Sequence, residues 1–228
     1  MGYGHAWHIP LEGLPLVQER LSAILEDFGR LLPHLPPLAG PLGEGEPVFG
    51  PSEVAFNGPR PEDYEGFAFP GLLEGEPFLS SLHPGHHYGF CKTGRRPYDL
   101  AVQAFLLVAK AHLGEYLALS SDGAMADWAE AADLVEAVLG LLVDLEAALG
   151  VRLVEVEDGQ GRRFLFERSL KAMAEGKPLP PHLERLEAFL PSWPFRGPYR
   201  VLGEARLFRP VLKAAHLGMG VYRGKATP

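Results

Sequence analysis

Residues 90–110 read FCKTGRRPYDLAVQAFLLVAK. Phe90 and Cys91 belong to a β-like run over His86–Lys92. Pro97 suits the first turn of a helix, where its missing N–H would lack a partner anyway. From Leu100 to Ala109 the residues are apolar almost all round, which predicts a buried central helix. Between strand and helix lies a short polar loop, Lys92-Thr93-Gly94-Arg95-Arg96.

The pattern extends upstream. Gly2–Ile9 reads as a short strand with Tyr3, His5, Trp7 and Ile9 on one face. Leu14, Val17, Leu21, Ile24, Leu25, Phe28, Leu31 and Leu32 then recur at helical spacing and predict a long helix that ends before Pro33. A Pro- and Gly-rich loop fills 36–51. Glu53–Asn57 and Tyr64–Phe69 read as strands that, with His86–Lys92, form an antiparallel meander.

Downstream, Tyr116–Ser120 reads as a strand, and a helix begins near Ala124. Trp128, Ala131, Val135, Val138, Leu142, Leu145 and Leu149 line one stripe of it, with Gly140 placed to bend or split it. Val151–Glu157 alternates like a strand before the turn signal Asp158-Gly159. Phe164–Glu175 and Pro181–Leu190 read as helices, and 191–198 as a loop. Pro210 leaves the segment that follows ambiguous between helix and strand. The expected fold is α+β: a small, mainly antiparallel sheet packed with a long N-terminal helix, a buried central helix and a helical C-terminal third. The expected organisation is a single domain over 1–228, or that domain with a helical appendage at 158–228.

The chain has 228 residues, 46% of them hydrophobic and 22% charged, enough for a real core. A net charge of -8 opposes a broad nucleic-acid or acidic-membrane surface. Cys91 is the only cysteine, which excludes an internal disulfide and a multi-cysteine zinc site. The first residues lack the basic and apolar regions of a signal peptide, and no apolar run reaches membrane-spanning length, so a cytoplasmic location is expected. Asn57 is the only asparagine, and Ile9 and Ile24 are the only isoleucines. Few amides and many prolines fit a thermophile, and a GC-rich genome produces much of the same bias.

Two junctions carry candidate chemistry. At the first, the loop's backbone N–H groups and a helix N-terminus combine with Lys92, Arg95 and Arg96 into an expected anion site, with Thr93 as a further donor. Tyr98 and Asp99 sit in the first turn of that helix, where an acidic residue is stabilising in its own right. The spacing of a Walker phosphate loop is absent. The second junction is Ser120-Ser121-Asp122-Gly123, again between a strand and a helix, where such residues are also ordinary caps. If the two strands share a sheet edge, Lys92, Arg95, Arg96, Asp99, Ser121 and Asp122 converge. Asp99 and Asp122 are then the acid–base candidates, and Lys92, Thr93, Arg95, Arg96, Tyr98 and Ser121 the ligand-binding ones. His83, His86, His87 and Cys91 contain ligand types for a transition metal but match none of the usual zinc signatures, and no metal is assigned.

The pair KTGRRPYD (92–99) and SSDG (120–123), with Trp128 beyond, resembles a bacterial family whose members carry K-T-x-[RK]-[RK]-P-Y-D followed by S-S-D-G. Phe56-Asn57-Gly58 resembles the same family, and the likeness spans roughly residues 52–140. The family has no known activity. The resemblance therefore marks motif positions without separating catalysis from architecture. Two readings follow. In one, the protein binds or processes a small anionic, phosphate-bearing ligand, with the cofactor unknown. In the other, it is a non-enzymatic interaction protein or homodimer whose polar segment is a salt-bridge network.

Overall fold

The computed structural model describes residues 2–71 and 84–224. They divide into two compact units: one runs to Gly123 and takes back Glu130–Leu149, and the other comprises Ala124–Ala129 and the described chain from Gly150 on. The fold is α+β, with small antiparallel sheets and a long N-terminal helix.

In the first unit, β1 (Gly4–Pro10) alternates as expected: His5, Trp7 and Ile9 are buried while Ala6 and His8 are partly open. Helix α1 (Leu14–Leu31) buries Val17, Leu21, Ile24, Phe28 and Leu31, the stripe its period predicts. Strands β2 (Val48–Phe49), β3 (Val54–Phe56) and β4 (Phe67–Phe69) make one antiparallel sheet. Strand β5 (His86–Lys92) is not the last strand of that meander. It pairs with β1, from Gly4↔Lys92 to Pro10↔His86.

Helix α2 (Asp99–Leu113) buries every residue from Ala101 to Ala109. Phe105 on it meets Phe28 of α1 at 5.2 Å and Phe67 of β4 at 5.3 Å, ring centre to ring centre. Trp7 of β1 meets Phe67 at the same distance, 5.3 Å. Aromatic contact thus joins two helices and two sheets in one core. Strand β6 (Ala118–Ser121) pairs with the other side of β1, giving the order β5-β1-β6. Helix α3 (Met125–Leu139) stops at Gly140, whose φ of +69° is left-handed, and a short α4 (Leu145–Leu149) follows. The expected stripe is buried at Trp128, Ala131, Val135 and Leu145, but Leu142, beyond the break, is 94% exposed.

The second unit corrects the expectation of a helical last third. Its centre is a five-stranded antiparallel sheet in the order β10-β11-β8-β7-β9, built from β7 (Val151–Glu157), β8 (Arg163–Ser169), β9 (Arg200–Ala205), β10 (His216–Gly218) and β11 (Val221–Arg223). Strand β8 lies between β7 and β11, and Phe164, Leu165 and Phe166 are all buried. A continuous apolar run of this kind has no period-2 signature, which is why Phe164–Ser169 reads as helix from sequence. Helices α5 (Leu170–Ala174), α6 (Pro180–Phe189) and α7 (Arg209–Ala215) complete the unit. Pro210 falls in the first turn of α7, where proline is tolerated. Phe164 stacks on Phe195 at 4.0 Å, and Val154, Val156, Leu183, Trp193 and Val221 close around them.

Candidate functional site

Strand β1 runs antiparallel to both β5 and β6, so those two are parallel to each other and end on the same edge. Lys92 ends β5 opposite Gly4, and Ser121 ends β6 opposite His5. The two polar junctions meet here, with β1 between them. This intermediary, and His5 on it, has no signal in the sequence beyond the alternation of Tyr3, His5, Trp7 and Ile9.

The covered face beneath this edge holds a chain of hydrogen bonds. Asp99 Oδ1 accepts from His5 Nε2 at 2.7 Å and from the Thr93 hydroxyl at 2.5 Å, and Oδ2 accepts from Gln103 at 3.1 Å. His5 Nδ1 and the Ser121 hydroxyl share a hydrogen bond at 2.8 Å. Ser121 Oγ in turn accepts the Gly123 N–H at 2.8 Å. Serine, histidine and aspartate in series have the residue types of a catalytic triad. The His5 side chain is fully buried, and the register puts Ser121 on the same covered face. The chain is a fastening between β1, β6 and the start of α2.

The other motif residues are fastened too. The N–H groups of Thr93 and Gly94 both donate to Tyr3 O at 3.0 Å. Gly94 and Arg95 both have positive φ, +59° and +58°, and the Arg95 guanidinium lies 3.9 Å over the Tyr3 ring. Tyr98, fully buried, donates its hydroxyl to Glu65 O at 2.7 Å. Burial first, then the neighbouring Cys91, Asp99 and Glu65, push its pKa up. Asn57 donates to Pro41 O and Tyr64 O, both at 3.0 Å, and its Oδ1 accepts the N–H of Gly58 at 2.8 Å. Arg96 pairs with Glu62 at 3.5 Å and Lys92 with Glu65 at 3.7 Å, both between half-exposed side chains. Exposed pairs of this kind hold weakly and exchange readily.

Above the sheet lies an open cavity of about 270 Å³. It is bordered by Gly4, His5 and Ala6 of β1, Tyr88, Phe90, Cys91 and Lys92 of β5, and Ser120, Ser121 and Asp122 at the end of β6. Alternation assigns the side chains of Ala6, Tyr88, Phe90, Lys92 and Ser120 to this face, and those of His5, Cys91 and Ser121 to the other. Asp122 Oδ2 accepts the Gly4 N–H at 3.0 Å, and Asp122 N–H donates to Gly4 O at 3.0 Å. A side chain at Gly4 would strike Cys91 O, since its Cβ would stand 2.6 Å away. Burial and the Asp122 charge both raise the Tyr88 pKa, so its hydroxyl stays protonated near neutrality.

Of the eight residues that the sequence nominates, Lys92, Ser121 and Asp122 border this cavity. Thr93, Tyr98 and Asp99 belong to the hydrogen-bonded network beneath or beside it, and Arg95 and Arg96 engage Tyr3 and Glu62. Tyr88, Phe90 and Ser120 are the additions that the sheet face supplies. His83 lies outside the described residues. His87 donates to Pro70 O at 2.7 Å, Cys91 to Glu65 O at 3.4 Å, and the described residues contain no cluster of three metal-ligating side chains. No helix among them is long and apolar enough to cross a membrane. Comparison with family models, curated proteins and solved structures returned no match.

Proposed function

We propose that the protein binds a small anionic ligand in the cavity above β5-β1-β6. The observation that carries this reading is the meeting of Lys92 from one junction with Ser120 and Asp122 from the other around one concave space. Lys92 neutralises the anion, exchanging its exposed Glu65 partner for the ligand. Asp122, oriented by the Gly4 N–H, accepts hydrogen bonds from hydroxyl or amino groups and is the candidate acid–base group. The network through His5 and Asp99 sets the two walls at a fixed separation.

A denaturant-unfolding screen tests it, with inorganic phosphate, sugar phosphates and nucleotides each present in turn. A ligand at a hundred times its Kd adds about 2.7 kcal/mol to stability. Stabilisation by at least one anion is expected, and it is lost in Lys92→Ala. Stabilisation by none, or equal stabilisation of the variant, sinks the reading.

The second reading is an interaction protein whose cations serve internal pairing. The Arg96–Glu62 and Lys92–Glu65 contacts favour it. It gains if sedimentation shows a dimer and the ligand screen is empty.

A further inference from the structure

The cavity has a chemically graded wall. Residues 88, 90 and 92 face it from one strand, each about 6.6 Å further along, and they run aromatic, aromatic, cationic: Tyr88, Phe90, Lys92. The Phe90 ring is 45% exposed on a strand whose neighbours Gly89 and Cys91 are buried. Its ring centre lies 6.1 Å from that of Tyr88, at 33° between planes. Two adjacent rings on an open sheet face offer a stacking platform, and stacking of a base on such a ring is worth about 1–3 kcal/mol. The opposite wall, Ser120 and Asp122, stands two strand spacings away, about 10 Å. It presents a hydroxyl and a carboxylate, one a two-way partner and the other an acceptor. The floor between is Gly4 and Ala6, which leaves the space unfilled.

We infer that the ligand is a nucleoside monophosphate, with its base stacked on Phe90 and Tyr88, its phosphate on Lys92 and its ribose hydroxyls on Asp122 and Ser120. This rests on the anion-binding reading above and narrows it. The ring and the anion are recognised one strand repeat apart, which calls for a spacer between them, and the spacer lies opposite the acceptor wall. A sugar phosphate leaves the rings unused. A free nucleoside leaves Lys92 unused. A dinucleotide brings a second base and a second phosphate to a lining that offers one adjacent ring pair and one cation.

Isothermal titration of the full chain with adenosine, guanosine, cytidine and uridine 5′-monophosphates tests this, beside ribose 5-phosphate and the free nucleosides. At least one monophosphate is expected to bind at least tenfold more tightly than ribose 5-phosphate and than its own nucleoside. Phe90→Ala, a change at an exposed ring, weakens it about 5- to 150-fold, as the stacking energy implies. Asp122→Asn reduces the preference for the ribo- over the 2′-deoxyribonucleotide. If ribose 5-phosphate binds as well as the monophosphates and Phe90→Ala changes nothing, the nucleotide assignment falls while the anion site stands. If no monophosphate binds below 1 mM on the order expected for a weak metabolite site, the assignment is overturned. Failure of the simple phosphates as well removes both.

Discussion

Asp99 and His5 stand 94 positions apart in the chain and meet side chain to side chain at 2.7 Å. The same carboxylate accepts from Thr93 and Gln103. Three donors from β1, the loop after β5 and the second turn of α2 therefore depend on one acidic residue. Asp99→Ala leaves His5 Nε2 and the Thr93 hydroxyl without their acceptor in a largely buried setting and leaves Gln103 with only the Tyr3 hydroxyl at 3.3 Å, and a loss of about 3 kcal/mol is expected. Urea unfolding measures it. A loss under 1 kcal/mol would mean that this network does not hold the edge together.

Cys91 supplies a second test through pH. Burial first, then the charge of Glu65, pushes its thiol up to about 12, against an unfolded value near 8.5. The folded pKa is the higher one, so the stabilisation is fully present below about pH 8.5 and is lost as pH rises toward 12. Across that window the unfolded state sheds a proton that the folded state keeps, at about 1.4 kcal/mol per pH unit at most. Cys91→Ala should flatten this share of the alkaline limb. In the native protein the thiol should react with iodoacetamide at pH 8 far more slowly than in denaturant.

The fold was legible where a period was present. The α1 stripe, the alternation of β1 and the all-apolar α2 each have a geometric cause in sequence, and each appears as read. Strand β8 was not legible, because a strand covered on both faces shows the same short apolar run as a buried helix. Pairing was harder still. Nothing local to His86–Lys92 indicates that β1, whose paired residues lie 76 to 88 positions upstream, is its partner. The site was legible as two junctions with the right residue types. Their division between a covered face and an open face was not, since that depends on the β1 register.

Gly89 tests the packing of that register. It lies opposite Trp7, and a Cβ added there would stand 2.3 Å from the indole ring. Trp7 cannot readily yield, for it is fully buried and its Nε1 donates to Pro70 O at 2.8 Å. Gly89→Ala should cost about 2 kcal/mol by overpacking. It should also alter the tryptophan emission of the native state. An unchanged midpoint in urea would contradict the close approach.

The second unit has its own acidic anchor. Asp158 sits in the turn between β7 and β8 and accepts from the N–H groups of Gln160, Arg162 and Arg196 and from the Arg162 guanidinium. Burial pushes its carboxyl up, but these donors more than offset that and hold it below the usual carboxylate range. The folded pKa is the lower one, so its stabilisation is present above about pH 4 and is lost as pH falls through the folded value. Asp158→Ala should cost about 3 kcal/mol at neutral pH, because three N–H groups lose their acceptor and the Arg162 guanidinium is left with Pro194 O and solvent. Hydrogen exchange of the amides from 150 onward is the measurement, since it follows this unit separately from α1 and α2. Faster exchange there, with the amides of α2 unchanged, is the expected result. Equal acceleration in both would show that Asp158 supports the whole chain and not its own unit alone.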